Sequence, residues 1–165
     1  MFSFTFQHVK DEINLEDPNF LKYMKRIIGK GSEALVYDNG KKDSPKVAKI
    51  IFRNLETIYI AQSIDGVFPE IDRFLMLKTE SGTPVLVVLM EKMDMTLEGV
   101  QGVKNEAAKI LKKLHQQGYI LGDVYPANFM LKENKIRIVD FGKMMPSRNK
   151  AHFDSELQQL QKRFK

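Results

Sequence analysis

A chain of 165 residues is long enough for one domain with a real core, or for two small lobes. Its 43% hydrophobic and 28% charged residues are the balance of a folded globular protein, which excludes a disordered or low-complexity chain. The net charge of +5 is spread along the sequence, so it welcomes anionic ligands without marking a nucleic-acid site, and the absence of cysteine excludes a disulfide framework or a thiolate metal centre.

Three scattered histidines give no zinc pattern either. The longest fully apolar run, 85–90, is far too short to cross a bilayer, and no basic segment followed by an apolar core opens the chain. The expectation is therefore a soluble chain without a cleavable signal peptide, with no membrane or nucleic-acid partner.

In chain order, Phe2, Phe4 and Phe6 alternate with polar residues and predict an opening strand. Pro18 closes an acidic stretch as a turn or helix start. Ile27 to Tyr37 then places Gly29 and Gly31 between two β-rich runs, where glycines let a backbone fold tightly over phosphates or simply form a turn. After the Asn39-Gly40 turn, 46–52 reads as a strand that contains Val47, Ala48 and Lys49. A lysine held inside a cleft needs an acidic partner, because an unpaired buried ammonium is costly. Glu56 is the first choice: 54–64 reads as a short helix capped by Asn54, with Glu56, Ile60 and Ile64 on one face. Glu70, beyond Gly66 and Pro69, is the second.

Segments 73–78 and 84–90 are strand candidates joined by a turn, and the second runs into Glu91, Lys92, Met93 and Asp94. Residues 105–117 form the clearest helix, with Asn105 as cap, Ala107, Ile110, Leu111 and Leu114 as apolar stripe, and Gly118 as stop. Then comes Tyr119 to Gly142, in which Asp123 is followed by Asn128 and, past a hairpin, by an Asp140-Phe141-Gly142 triplet. Near the end, Phe153, Leu157, Leu160 and Phe164 share one helical face, with Asp154 either capping that helix or bracing the loop of Asp123.

The ordered set of glycine turn, Val-Ala-Lys, Leu114-His115, Asp123-x-x-x-x-Asn128 and Asp140-Phe-Gly resembles the protein-kinase superfamily, in a minimal, atypical form similar to truncated bacterial effector kinases. The resemblance covers Ile27 to Gly142. It implies an α+β, two-lobed fold: an antiparallel-sheet lobe with one short helix over 1–92, and a much reduced helical lobe over 93–165. It also implies ATP and magnesium as cofactors. Gly29, Gly31, Val36, Ala48, Glu91 and Met93 would surround the nucleotide, with Met90 behind the adenine. Lys49 would hold the α- and β-phosphates, oriented by Glu56. Asp123 would position the acceptor hydroxyl, while Asn128 and Asp140 hold magnesium. His115 is expected to be structural.

The sequence departs from the family at Gly122, where an arginine is usual, and at Tyr125, where a lysine is usual. The first reading is a monomeric serine/threonine kinase acting on a protein, with a host protein such as a heat-shock chaperone as one candidate. It would be cytoplasmic, or secreted into a host cell as an effector. A small-molecule kinase and a catalytically weak nucleotide-binding module are the alternatives.

Overall fold

The computed structural model describes residues 15–30 and 34–165, so the expected strand at 2–6 and Gly31 lie outside it. The contacts divide the chain into two units, one reaching Leu55 and resuming over Glu70–Lys92, the other made of Glu56–Pro69 and Met93–Lys165.

The first unit is built on five antiparallel strands: β1 (Arg26–Lys30), β2 (Ala34–Asp38), β3 (Lys46–Ile51), β4 (Ile71–Lys78) and β5 (Pro84–Glu91), in the order β1-β2-β3-β5-β4. Period-two alternation sends Leu35, Tyr37, Ala48, Ile50, Val85, Val87 and Leu89 to one face. There they meet Phe20, Tyr23 and Met24, which follow from the short helix α1 (Pro18–Leu21). Asp17 starts that helix by accepting the Asn19 N–H at 2.9 Å, with proline in the first turn. Each of these large side chains, once buried, contributes roughly 1.5–3 kcal/mol, so this face is a large share of the unit's stability.

Strand β5 runs between β3 and β4, and its residues 85–90 are buried throughout, which explains why the sequence shows an unbroken apolar run there.

Asp38 is the one buried carboxylate of this unit among the described residues. Arg26 grips it as a fork, Nη2 to Oδ2 at 2.7 Å and Nε to Oδ1 at 3.2 Å. Lys92 Nζ adds a third contact at 3.0 Å, and the Gly40 N–H donates to Oδ1 at 2.8 Å. The Arg26 hydrogen bond, with help from Gly40 and Lys92, outweighs burial and holds the Asp38 carboxyl at about 2. Gly40 makes its contact from φ +84°, a left-handed conformation that suits glycine at the Asn39-Gly40 turn.

The second unit carries helices α2 (Thr57–Ser63), α3 (Lys104–Gln116) and α4 (Lys150–Arg163). A three-stranded antiparallel sheet joins β6 (Met95–Thr96) to the hairpin of β8 (Phe129–Lys132) and β9 (Lys135–Ile138), with β8 in the middle. A two-stranded pair joins β7 (Tyr119–Ile120) to β10 (Met145–Pro146).

Helix α3 follows the expected stripe closely, with Ala107, Ile110, Leu111 and Leu114 buried and Gly118 at φ +87° just beyond its end. It starts a residue earlier than expected, after Val103, so Asn105 is inside the helix and is not its cap. Helix α4 is capped by Asn149, whose side chain accepts the Ala151 N–H at 3.0 Å, and Phe164 beyond it packs edge-on against Phe129 at 5.2 Å. Asp154 is therefore no cap; it pairs with Lys150 at 3.3 Å on the exposed side.

Two further departures concern 54–69. Asn54 has a φ of +54° and lies before the helix, and α2 begins only after Glu56, whose side chain makes no capping bond. The whole of Glu56–Pro69 groups with the second unit, whereas a division at 92 assigns it to the first. Its anchors explain why: the Ile138 N–H donates to Val67 O at 2.8 Å, and Phe68 meets Phe141 edge-on at 4.9 Å.

Candidate active site

In the first unit, β-pairing sets Gly29 opposite Val36 and Val36 opposite Lys49, so the three stand in one row across the sheet. A side chain at Gly29 would lie 3.5 Å from Val36 Cβ, ordinary contact, so the glycine is not forced by packing there. Ala48 lies on the other face of the strand. It pairs with Tyr37, is fully buried in the core face, and points away from the row of Val36 and Lys49. Strand parity instead puts Val47 on the Lys49 face, opposite Met90 of β5. Val47 is therefore the residue of that strand that shares a face with Lys49, as the alternation itself signals.

Glu91 ends β5, and its N–H donates to Glu70 O at 2.8 Å, while the Glu70 N–H reaches Glu91 Oε1 at 3.4 Å. Glu70 thus sits at the start of β4, exposed, within the same unit as Lys49, and Glu56 stands exposed in the other unit at the head of α2. Lys92 and Asp94 donate their N–H groups to Pro45 O and Leu131 O. The Met93 N–H between them has no backbone acceptor among the described residues, which leaves it available to a ligand, while the Met93 side chain is buried.

The second unit carries Asp123, Asn128 and Asp140 on segments tied to one another through the backbone. Leu121 to Val124 follows β7, and a 3-10 turn at Pro126–Asn128 returns the chain into β8. Asn128 Nδ2 donates to Asp123 O at 2.9 Å, closing the loop on itself. The Val139 N–H donates to Asn128 O at 2.9 Å, so Asp140, the next residue, starts from the backbone that holds Asn128. The amide nitrogen of Asn128 is thereby committed, and Oδ1 is the atom left for a ligand. One amide oxygen and one exposed carboxylate are hard oxygen donors of the kind magnesium takes alongside phosphate oxygens, so the pair fits that ion. Phe141, between Asp140 and Gly142, is buried against Phe68.

Below the loop lies a residue the sequence reading missed. Glu156 of α4 is buried; its Oε1 accepts the Leu121 N–H at 2.9 Å and its Oε2 the Gly122 N–H at 2.8 Å. His115 Nε2 is a further partner of Oε1 at 2.8 Å, and the His115 ring stacks on Phe153 at 4.7 Å. His115 is accordingly structural, tied into the support of the loop. The brace foreseen for Asp154 is made by Glu156.

Gly122 is explained as well. It holds φ +83°, and a Cβ there would lie 2.5 Å from the Lys143 carbonyl oxygen. The backbone leaving the Asp-Phe-Gly triplet thus lies directly on Gly122, and an arginine has no room.

Asp123 and Asn128 line a cavity of about 570 Å³ with Tyr125, Glu98, Arg163 and Lys165, all within the second unit. Lys143 Nζ lies 3.7 Å from Asp123 Oδ2. An acid and an amide oxygen lining one cavity with nearby cations can hold phosphate groups and accept a proton from an incoming hydroxyl.

An antiparallel five-stranded sheet in one unit, and a helix-supported loop with an Asp-Phe-Gly hairpin in the other, define a reduced kinase-like α+β fold. The family model of the lipopolysaccharide core biosynthesis protein (WaaY) matches residues 37–159, and the chain belongs to that family. No curated protein matches it. Among the described residues, no helix is long and apolar enough to cross a membrane.

Proposed function

We propose that this protein is a phosphotransferase that uses ATP and magnesium to phosphorylate a sugar hydroxyl of the lipopolysaccharide core. The observation that supports the reading is the hydrogen-bonded loop of Asp123 and Asn128, tied by the Val139 N–H to the strand end that leads into Asp140, inside the segment matched by a lipopolysaccharide-core family. The family favours a carbohydrate acceptor over the protein hydroxyl expected first, and gives no support to an effector acting on a host protein.

In this reading Lys49 holds the α- and β-phosphates from its rigid strand, with Glu56 or Glu70 as its acidic partner, and Val36, Val47 and the Met93 N–H receive the adenine. Asp123 orients the sugar hydroxyl and takes its proton as transfer proceeds. Asn128 Oδ1 and the Asp140 carboxylate hold magnesium, which would neutralise the phosphates. The test is incubation with labelled ATP, magnesium and either lipopolysaccharide or a protein lysate. The expected outcome is label in the core sugar, lost in Asp123→Ala; label in protein alone would return the acceptor to serine or threonine.

A further inference from the structure

We infer that Arg163 is a catalytic residue, supplying to the transferred phosphoryl group the positive charge that the Asp123 loop itself lacks. The inference rests on the phosphotransferase reading above. In that reaction a bond forms between the γ-phosphorus and the acceptor oxygen as the bond to the β,γ-bridging oxygen breaks. ADP leaves with that electron pair, and the acceptor's proton passes to Asp123. Negative charge spreads over the three equatorial oxygens meanwhile, and preorganised cations at that point lower the barrier most.

Between Asp123 and Asn128 the chain reads Asp-Val-Tyr-Pro-Ala-Asn, with no cation. The structure brings one from the far end of α4. Arg163 lines the same cavity as Asp123 and Asn128, with its guanidinium carbon 3.9 Å above the centre of the Tyr125 ring. Nη1 donates to Val124 O at 3.0 Å and to Gln159 Oε1 at 3.3 Å. Nη2 and Nε make no hydrogen bond among the described residues, so two donor nitrogens, with three N–H groups, remain on a group whose position is already fixed by a ring and a carbonyl. A guanidinium stacked this way is preorganised, which is what transition-state stabilisation requires. Lys143 is the competing cation, but its side chain is 60% exposed and its contact to Asp123 is long, 3.7 Å, so it lacks that fixation. Tyr125 then has a purpose as well: its ring is the platform that holds the arginine.

The test compares wild type, Arg163→Ala and Lys143→Ala for ATP turnover, binding of Mg·ADP, and binding of Mg·ADP with aluminium fluoride, which mimics the phosphoryl group in flight. Arg163→Ala is expected to lower turnover about 100-fold, to leave Mg·ADP affinity unchanged, and to lose the tightening by aluminium fluoride, with partial rescue by free guanidinium. Full tightening in Arg163→Ala, a loss that guanidinium does not rescue, or the main loss appearing in Lys143→Ala overturns the inference. A wild type with neither turnover nor tightening overturns the phosphotransferase reading itself. Should Arg163→Ala fail to melt cooperatively, Arg163→Lys, which keeps the stem and the charge, takes its place; wild-type turnover and tightening in that variant would mean that the guanidinium fork is not what acts.

Discussion

Glu156 Oε2 accepts the Gly122 N–H at 2.8 Å, so one carboxylate on the last helix fixes the backbone immediately before Asp123. The same side chain takes the Leu121 N–H and His115 through its other oxygen. Glutamine has a single acceptor oxygen, and its amide would face a donor with a donor. Glu156→Gln is therefore expected to cost about 2–4 kcal/mol and to lower turnover, since buried donors are left unpaired. Thermal melts alongside kinetics check this; an unchanged melting point would show that the loop does not depend on the carboxylate.

Gly122 meets the Lys143 carbonyl so closely that any side chain must displace it. Gly122→Ala adds a left-handed alanine, costing roughly 1–2 kcal/mol, to a contact of 2.5 Å against backbone. Gly122→Arg, which restores the residue usual in protein kinases, should be worse than alanine in both stability and activity. If the arginine variant were the more active of the two, the close backbone approach would be wrong.

These two residues mark where sequence reading stops. The strands, helix α3 and the Asp123-Asn128-Asp140 spacing were readable because they are local: period two, period 3.6, and a hairpin that returns the chain on itself. Glu156 was within reach, because 153, 156, 157, 160 and 164 form one helical stripe, and a carboxylate in an apolar stripe needs buried partners. Asp154 lies off that stripe. Ala48 stands on the strand face opposite Lys49, which parity decides and a three-residue motif does not. The Arg163–Tyr125 stack joins residues far apart in sequence, and no local pattern announces it.

Asp38 ties β1, β2 and the end of β5 through Arg26 and Lys92. Its carboxyl is depressed to about 2 in the folded chain, below the usual 3.8, so the ion cluster stabilises fully above about pH 4. That contribution is lost as pH falls through about 2. Asp38→Asn is expected to destabilise at neutral pH by on the order of 2 kcal/mol, because charge-assisted hydrogen bonds are lost. The gap to wild type should narrow between about pH 4 and pH 2. Denaturant titrations of both proteins across that range test it; a gap independent of pH would contradict the depressed carboxyl.

Asn128 and Asp140 are proposed to share one magnesium, yet their structural duties differ, and that difference separates binding from folding. Asn128 Nδ2 donates to Asp123 O, a bond an aspartate cannot make, so Asn128→Asp keeps an oxygen donor while releasing the loop. It should lower the melting point and loosen Asp123, costing about 1 kcal/mol or more. Asp140 is exposed and makes no ion pair among the described residues, so Asp140→Asn removes a ligand charge without removing a contact. It should melt like wild type while its nucleotide affinity no longer rises with magnesium. Calorimetric ADP titrations with and without the ion, read beside melting curves, give the contrast. Undiminished magnesium dependence in Asp140→Asn would remove that carboxylate from the site.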